Sequence, residues 1–265
     1  MYNLSFIPSE TRIKKIVRKF VFGTHMHCPR CNSRKIQKSE ERYRCKNCRK
    51  PFSLTSGTWL NNMKLPWQLF YLLLWCFLNH IPIIQTQKIT KLSIPTIRGW
   101  YEKFRQNIPK KDFLSLLSGN VQMDEAYSRG KVVIGAKDIK NKKIVLRVLD
   151  KEYVQKQNIS QFVARHIAPG SVLCTDGGGY YKGIDKFWPV AHRKDIHKKW
   201  EFELTSEIEG LFGNLRTYIR RKYHHVSCSK LPEVVAEFEA FFNHPEMFKN
   251  PNKYLENALC LVPSC

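Results

Sequence analysis

Acidic residues are scarce in this chain relative to basic ones. Its 265 residues include 22 Asp and Glu against 45 Lys and Arg, which leaves a formal net charge of +23. A fold does not need so large an excess, whereas a polyanionic partner does, and nucleic acid is the first candidate. A ribosome-associated or unspecifically basic protein is the alternative. Apolar residues make up 43% of the chain and charged residues 25%, which allows a buried core and excludes a largely disordered protein.

The chain also lacks a long uninterrupted apolar run. Residues 65–84 carry no charged side chain and are just long enough to cross a bilayer. Gln68, Asn79, His80 and two prolines interrupt this segment, however, and its continuous apolar part covers only residues 69–78. We therefore expect a buried helix here and no membrane partner.

The nine cysteines do not suit a secreted disulfide framework, because their number is odd and no signal peptide is recognisable. Four of them form two Cys-x-x-Cys pairs separated by thirteen residues. Two such pairs can bring four thiolates to one Zn²⁺, whereas a redox site, the alternative, needs only one pair. We predict a reducing compartment and a structural zinc site formed by Cys28, Cys31, Cys45 and Cys48.

The residue composition changes along the chain, and short runs rich in Val and Ile begin near residue 120. Strands followed by alternating helices and strands predict a layered α/β domain. We expect strands at 121–127, 132–137, 143–149 and 171–175, and helices at 154–166, 205–221 and 232–243. The predicted segments are a basic lead-in helix at 1–24, a zinc ribbon at 25–60, a helical region at 64–108, a linker at 109–112, an α/β domain at 120–246 and a tail at 247–265.

The helical region contains a possible helix-turn-helix motif. Residues 83–91 and 93–105 suit two helices around a tight turn, with Ser93 as the N-cap of the second. Leu92 stands where such turns usually carry glycine. An amphipathic helical pair without DNA contact has the same pattern and is the alternative. In a DNA-binding motif the second helix would present three basic side chains to DNA, those of Arg98, Lys103 and Arg105.

Three acidic residues stand where a metal site would need them. Asp124 lies within an apolar strand, where an isolated carboxylate is costly. Asp176 ends another strand, and α/β sheets place their sites at such strand ends. Glu209 shares one helix face with Arg216, so that an acid for a metal and a base for a phosphate lie together. A solvated acid or a turn residue is the alternative for each acid taken alone.

Two neighbouring glutamates compete with these three acids. Alternation along the strand directs Glu125 to the face opposite Asp124, so the predicted site does not include it. Glu207 lies about 200° from Glu209 around the helix, so only one of them can face the sheet. The position of Arg216 favours Glu209.

The cysteines and the acids stand inside longer motifs. The ribbon continues through Phe52 to Gly57, and the acids stand in Asp124-Glu125-Ala126-Tyr127, in Thr175-Asp176-Gly177 with Tyr181, and in Ile208-Glu209-Gly210 with Arg216. Tyr223-His224-His225-Val226-Ser227 follows the last of these. Together, over roughly residues 25–245, the motifs resemble the DDE transposases of insertion-sequence family 1595 and the related eukaryotic Merlin transposases.

The resemblance implies an α/β fold with an RNase H-like catalytic core, preceded by the zinc ribbon and the helix-turn-helix-like region. It implies that the protein cleaves and joins DNA strands at inverted-repeat ends, with Asp124, Asp176 and Glu209 holding two Mg²⁺ ions that Mn²⁺ can replace. One ion would activate the nucleophile, and the other would stabilise the leaving oxygen. The phosphate backbone would be held by Arg216 and by the basic run Arg220, Arg221 and Lys222.

The expected partner is double-stranded DNA, both transposon ends and target, with a homo-oligomer forming on that DNA. The expected location is the cytoplasm at the nucleoid in a bacterium, or the nucleus for a Merlin-type element. Two rival functions remain. One is a catalytically retired transposase or zinc-ribbon regulator that only binds DNA, and the other is an RNase H-like nuclease that cuts but does not join.

Overall fold

The chain is organised in two compact units. The structure, a computed structural model, describes residues 7–40, 42–109, 116–128, 130–150, 153–194 and 205–259. One unit comprises Met1–Pro109 together with Glu246–Cys265, and the other comprises Lys110–Pro245. The second unit is therefore inserted into the sequence of the first.

The first unit begins with a helix, a small antiparallel sheet and a run of three helices. The side chain of Ser9 caps the first helix by accepting a hydrogen bond from the backbone nitrogen of Arg12. β2 is the central strand of the sheet. The elements are α1 (Glu10–Phe22), β1 (Ile36–Ser39), β2 (Arg42–Cys45), β3 (Pro51–Phe52), α2 (Trp67–Leu78), α3 (Ile83–Thr90) and α4 (Ile94–Gln106).

The apolar segment at 65–84 forms α2, a helix of 12 residues. Phe70, Leu73, Leu74 and Phe77 are completely buried, and the rings of Phe70 and Phe77 contact Phe104 of α4. Within the described parts of the chain, no helix combines the length and the apolar character that a membrane span needs. The predicted buried helix is confirmed.

The second unit is built on a five-stranded mixed sheet with the order β6-β5-β4-β7-β8. β6, β5 and β4 pair antiparallel, whereas β4, β7 and β8 pair parallel. The elements are β4 (Asn120–Ser128), β5 (Lys131–Asp138), β6 (Ile144–Leu149), α5 (Lys156–His166), β7 (Val172–Thr175), α6 (Ile184–Phe187), β8 (Ala191–Lys194), α7 (Ser206–Tyr223) and α8 (Leu231–Asn243).

A hydrophobic core lies on each face of this sheet. On one face Val121 and Met123 of β4 pack with Ile159 and Val163 of α5. On the other face the sheet packs against α7 and α8, whose buried residues include Phe212. The predicted α/β layering is confirmed, and so are the four predicted strands, each to within one residue at either end.

After α8 the chain returns to the first unit and forms α9 (Pro251–Ala258). Tyr254 is completely buried, and its hydroxyl donates a hydrogen bond of 2.6 Å to the carbonyl oxygen of Phe104. The indole nitrogen of Trp59 donates to the carbonyl oxygen of Ala258 at 2.9 Å. The prediction of a mere tail at 247–265 was therefore wrong over its described part, because these residues complete the core of the first unit. Residues 260–265, and most of the predicted linker at 109–112, lie outside the described residues.

A cysteine cluster and a carboxylate cluster

The four predicted zinc ligands come together in the first unit. The sulfur of Cys28 lies 3.6 Å from that of Cys48, and the sulfur of Cys31 lies 3.5 Å from that of Cys45. All four sulfurs lie within 4.8 Å of one another. Sulfurs bound tetrahedrally to one Zn²⁺ at about 2.3 Å are about 3.8 Å apart, so the cluster fits a single zinc ion.

The backbone at each cysteine pair is shaped for this convergence. Asn32 and Arg49 each follow the second cysteine of a pair, and both have a left-handed conformation, with φ of 57° and 58°. Burial raises the pKa of Cys28 to about 11, whereas a backbone hydrogen bond from Ser33 lowers the pKa of Cys31 to about 6. A bound Zn²⁺ favours the thiolate form at every ligand, because only thiolates coordinate it strongly.

Helices α2, α3 and α4 form a three-helix arrangement in which α3 and α4 are joined by a tight turn. The hydroxyl groups of Thr86 and Tyr101 are 2.8 Å apart and tie the two helices together inside the core. Ser93 caps α4 as predicted. The left-handed position of the turn is Lys91, with φ of 59°, so the residue that replaces the usual glycine is Lys91 and not Leu92.

The predicted DNA-contacting residues of α4 differ in exposure. Arg98 and Lys103 are exposed, and the ammonium of Lys103 lies 4.8 Å from the centre of the Trp100 ring. Arg105 is half-buried. Arg98 and Arg105 are seven residues apart and therefore share one face of α4.

In the second unit, neighbouring parallel strands bring Asp124 and Asp176 together. Gln122 of β4 pairs with Cys174 of β7, so the two aspartates, each two residues further along, lie at the same level. Both side chains are half-buried, at the edge of the sheet where the carboxyl ends of β4 and β7 lie. Asp176 also accepts a hydrogen bond of 3.1 Å from the backbone nitrogen of Gly178, where a Cβ atom would lie 2.8 Å from the Tyr180 ring.

Glu125 joins the two aspartates, which corrects the prediction that left it out. Alternation along β4 does place Glu125 on the face opposite Asp124, but its longer side chain reaches the same edge. Carboxylate oxygens of Asp124, Glu125 and Asp176 all lie within 4.8 Å of one another. Burial, together with the negative charges of Asp124 and Asp176, raises the pKa of Glu125 to about 7, although a hydrogen bond from Tyr181 acts in the opposite direction.

Glu209 lies in the first turn of α7 and does not belong to this carboxylate cluster. Its side chain is exposed and accepts a hydrogen bond of 3.3 Å from the hydroxyl of Thr205. Arg216, two turns further along α7, is exposed as well. Glu207 forms an ion pair of 2.5 Å with Lys137 on the neighbouring strand β5.

The position of α7 on the sheet is set by close packing next to Asp124. Gly135 of β5 is the register partner of Asp124. A Cβ atom at Gly135 would lie 2.8 Å from the ring of Phe212, so glycine is what allows this aromatic side chain of α7 to lie against the strand. Sequence reasoning missed this contact because a glycine within a strand has several possible causes.

One predicted DNA contact was wrong. Lys222 is buried, and its ammonium pairs at 2.5 Å with Glu237 of α8, both side chains being 0% exposed. The hydroxyl groups of Tyr218 and Tyr223 also donate to Glu237. A buried carboxylate requires such partners, so Lys222 compensates a charge in the core instead of meeting DNA. Its neighbours Arg220 and Arg221 are exposed.

Two family models match the chain. Residues 116–243 match the ISXO2-like transposase domain, and residues 8–51 match the transposase zinc-ribbon domain. The two matches together span more than half of the chain, and both belong to insertion-sequence family 1595. A search of curated proteins finds no match.

The cysteine cluster, the α/β unit and these matches define a DNA-binding protein of the transposase class. The chain belongs to the DDE transposases of insertion-sequence family 1595.

Proposed function

We propose that this protein is a catalytically competent transposase, which binds the inverted-repeat ends of its element, cleaves DNA there and joins the freed strand to a target. The observation that carries the proposal is the meeting of Asp124 and Asp176 on adjacent parallel strands within a unit that matches a transposase domain. The net charge of +23 supports a DNA substrate.

The sheet topology supports an RNase H-like core for residues 120–246. Three antiparallel strands are followed by two strands that run parallel to the first of them, in the order β6-β5-β4-β7-β8. Helix α5 covers one face, and α7 and α8 cover the other. In this arrangement β4 and β7, the first and fourth strands of the unit, are neighbours. Asp124 and Asp176 are far apart in sequence but therefore lie together at the carboxyl ends of these two strands.

The carboxylate cluster fits a hard divalent cation. Carboxylate oxygens are the ligands that Mg²⁺ prefers, and the ligands of one octahedral Mg²⁺ are about 3.0 to 4.2 Å apart, which is compatible with oxygens that lie within 4.8 Å of one another. Bound Mg²⁺ or Mn²⁺ would supply Lewis-acid stabilisation of the attacking and leaving oxygens. We propose Asp124, Asp176 and Glu209 as the residues that hold it, with Glu209 contributed by the first turn of α7.

The remaining proposed roles belong to basic side chains. Arg216, Arg220 and Arg221 are exposed on α7 and are proposed to hold the DNA backbone near the carboxylates. The ribbon at 25–60 and the helical region at 64–108, with Arg98, Lys103 and Arg105 on α4, are proposed to recognise the transposon ends. Phosphate contacts of this kind fix position on DNA, whereas base contacts determine sequence preference.

The deciding experiment is an end-cleavage and strand-transfer assay with the purified zinc-loaded chain and labelled DNA from the flanks of its own gene. We expect nicking at the element boundary in Mg²⁺ or Mn²⁺, followed by joining to a target plasmid. Cleavage without joining would identify a nuclease. Binding without cleavage in either metal would identify a DNA-binding protein that has lost transposase activity.

A further inference from the structure

Tyr181 brings one polar atom into an otherwise apolar core. Its side chain is completely buried in the cluster that contains Val121, Met123 and Ile159. Its hydroxyl donates a hydrogen bond of 2.8 Å to Oε2 of Glu125. A buried hydroxyl group needs a partner, and here that partner is a carboxylate of the cluster at the sheet edge.

The residue type at position 125 matters for this contact. Because Glu125 lies on the strand face opposite Asp124, its carboxylate reaches the cluster through the length of its side chain. Aspartate, one methylene shorter, would have its carboxylate nearer to the strand axis. The hydrogen bond from Tyr181 holds the flexible glutamate in an orientation in which its carboxylate meets those of Asp124 and Asp176.

This arrangement is unfavourable while all three groups are ionised. Three carboxylates whose oxygens lie within 4.8 Å of one another repel each other, and a bound cation would remove this repulsion without any of them taking up a proton. A hydrogen bond that keeps the third carboxylate inside the group opposes this repulsion. An acid with a purely structural role would gain more by turning away from the other two.

We propose that Glu125 supplies a further carboxylate to the divalent-cation site and that Tyr181 is the residue that positions it. The inference rests on the proposed function, because it requires a cation at Asp124 and Asp176. Tyr181 acts through Glu125 and itself touches neither cation nor DNA. Its hydroxyl therefore affects cation affinity first and catalysis only as a consequence.

The test is a titration of the full-length, zinc-loaded chain with Mn²⁺ in the absence of DNA, in which electron paramagnetic resonance measures the bound Mn²⁺. Replacement of a residue that orients a metal ligand typically weakens metal binding by about 10- to 100-fold, so we expect Tyr181→Phe to weaken Mn²⁺ binding about tenfold. Glu125→Gln is expected to weaken it at least as much. Glu125→Asp keeps the charge but shortens the side chain, and it is expected to behave like Glu125→Gln.

Tyr180→Phe is the matched control. Tyr180 is the neighbouring residue and packs edge-on against Tyr181, with ring centres 4.8 Å apart, but it lies outside the hydrogen bond to Glu125. We expect this variant to bind Mn²⁺ as the wild-type protein does. Thermal unfolding of each variant, monitored by circular dichroism, shows that the titrations compare folded proteins.

The outcomes separate this inference from the function on which it rests. If Asp124→Asn loses Mn²⁺ binding while Tyr181→Phe and both Glu125 variants retain it, the roles of Glu125 and Tyr181 are refuted and the proposed function stands. If Asp124→Asn also binds Mn²⁺ like wild type, the cation site itself is refuted. Equal weakening by Tyr180→Phe and Tyr181→Phe would show that the effect comes from packing and would refute the positioning role.

Discussion

The side-chain oxygen of Gln122 lies 2.9 Å from the backbone nitrogen of Glu207 and accepts its hydrogen bond. The same oxygen accepts from the backbone nitrogen of Ile208 at 3.0 Å. Thr205, the N-cap residue of α7, makes no side-chain capping hydrogen bond, and Gln122 of β4 caps the helix instead. Gln122 stands two residues before Asp124 and thereby fixes the helix that carries Glu209 to the strand that carries Asp124.

Replacing Gln122 by Met should destabilise the protein. The substitution keeps the approximate shape of the side chain but leaves two backbone N–H groups at the start of α7 without their acceptor. Leaving buried donors unsatisfied costs about 1–3 kcal/mol each, and we expect a loss of about 3 kcal/mol in the free energy of unfolding. Urea denaturation measures it, and a variant as stable as wild type would show that water replaces this cap.

Glu209→Gln and Glu207→Gln form a matched pair in the first turn of α7. If Glu209 holds a catalytic cation, its substitution should lower the nicking rate more than about 100-fold, because even residues that only orient metal ligands contribute 10- to 100-fold. Glu207 pairs with Lys137, so Glu207→Gln should leave nicking nearly intact. The measurement is nicking of labelled end DNA in Mg²⁺ beside a gel shift. Equal activity of the two variants would remove Glu209 from the site.

Cys28→Ser should remove the zinc and unfold the ribbon, since metal binding and folding are coupled in modules of this size. The inserted unit should keep its helical signal, because it has its own two cores. Zinc content and limited proteolysis measure the two effects. Cys228→Ser, at an exposed cysteine outside the cluster, is the control and should change neither.

Lys222→Met should reduce stability and leave DNA affinity largely unchanged in the folded protein. It removes the ammonium from the buried pair with Glu237 and leaves that carboxylate without its cation. Breaking a buried ion pair in this way costs about 3–5 kcal/mol. Lys222→Met together with Glu237→Leu should recover part of the loss, as urea denaturation can show. Weak DNA binding by a stable Lys222→Met protein would show that Lys222 does contact DNA.

Arg221→Ala should weaken DNA binding and also change how binding depends on salt. If the guanidinium neutralises one phosphate, the slope of log K against log salt concentration should become shallower by about 0.9. Fluorescence anisotropy at several salt concentrations measures the slope. Lys186→Ala removes an exposed charge from α6, and it is the control whose salt slope is compared with that of Arg221→Ala. An unchanged slope for Arg221→Ala would show that Arg221 does not neutralise a DNA phosphate.

Residue patterns predicted the elements whose signals are local. Short runs rich in Val and Ile between turn residues predicted β4, β5 and β6, and the spacing of the two cysteine pairs predicted the cysteine cluster. Strand β8 was missed because its four residues are mostly exposed and polar, so they show no alternation. It forms because β7 presents an open parallel edge.

The errors came from side-chain length and from tertiary partners. Alternation correctly assigns Glu125 to a strand face, but it says nothing of how far a long side chain reaches around the strand end. Lys222 stands in a run of basic residues that looks solvent-exposed, and only the packing of α8 shows that Glu237 requires it. Neither fact has a signal within a short sequence window.

The return of α9 to the first unit determines the order in which the protein can be completed during synthesis. The inserted unit, Lys110–Pro245, has left the ribosome before α9 does, and it can fold around its own cores. The first unit must wait, since Tyr254 and Leu255 of α9 are completely buried in it. A nascent chain can thus fold the inserted unit before the first unit is complete, and a chain truncated after α8 would carry the carboxylate cluster without a complete ribbon-bearing unit.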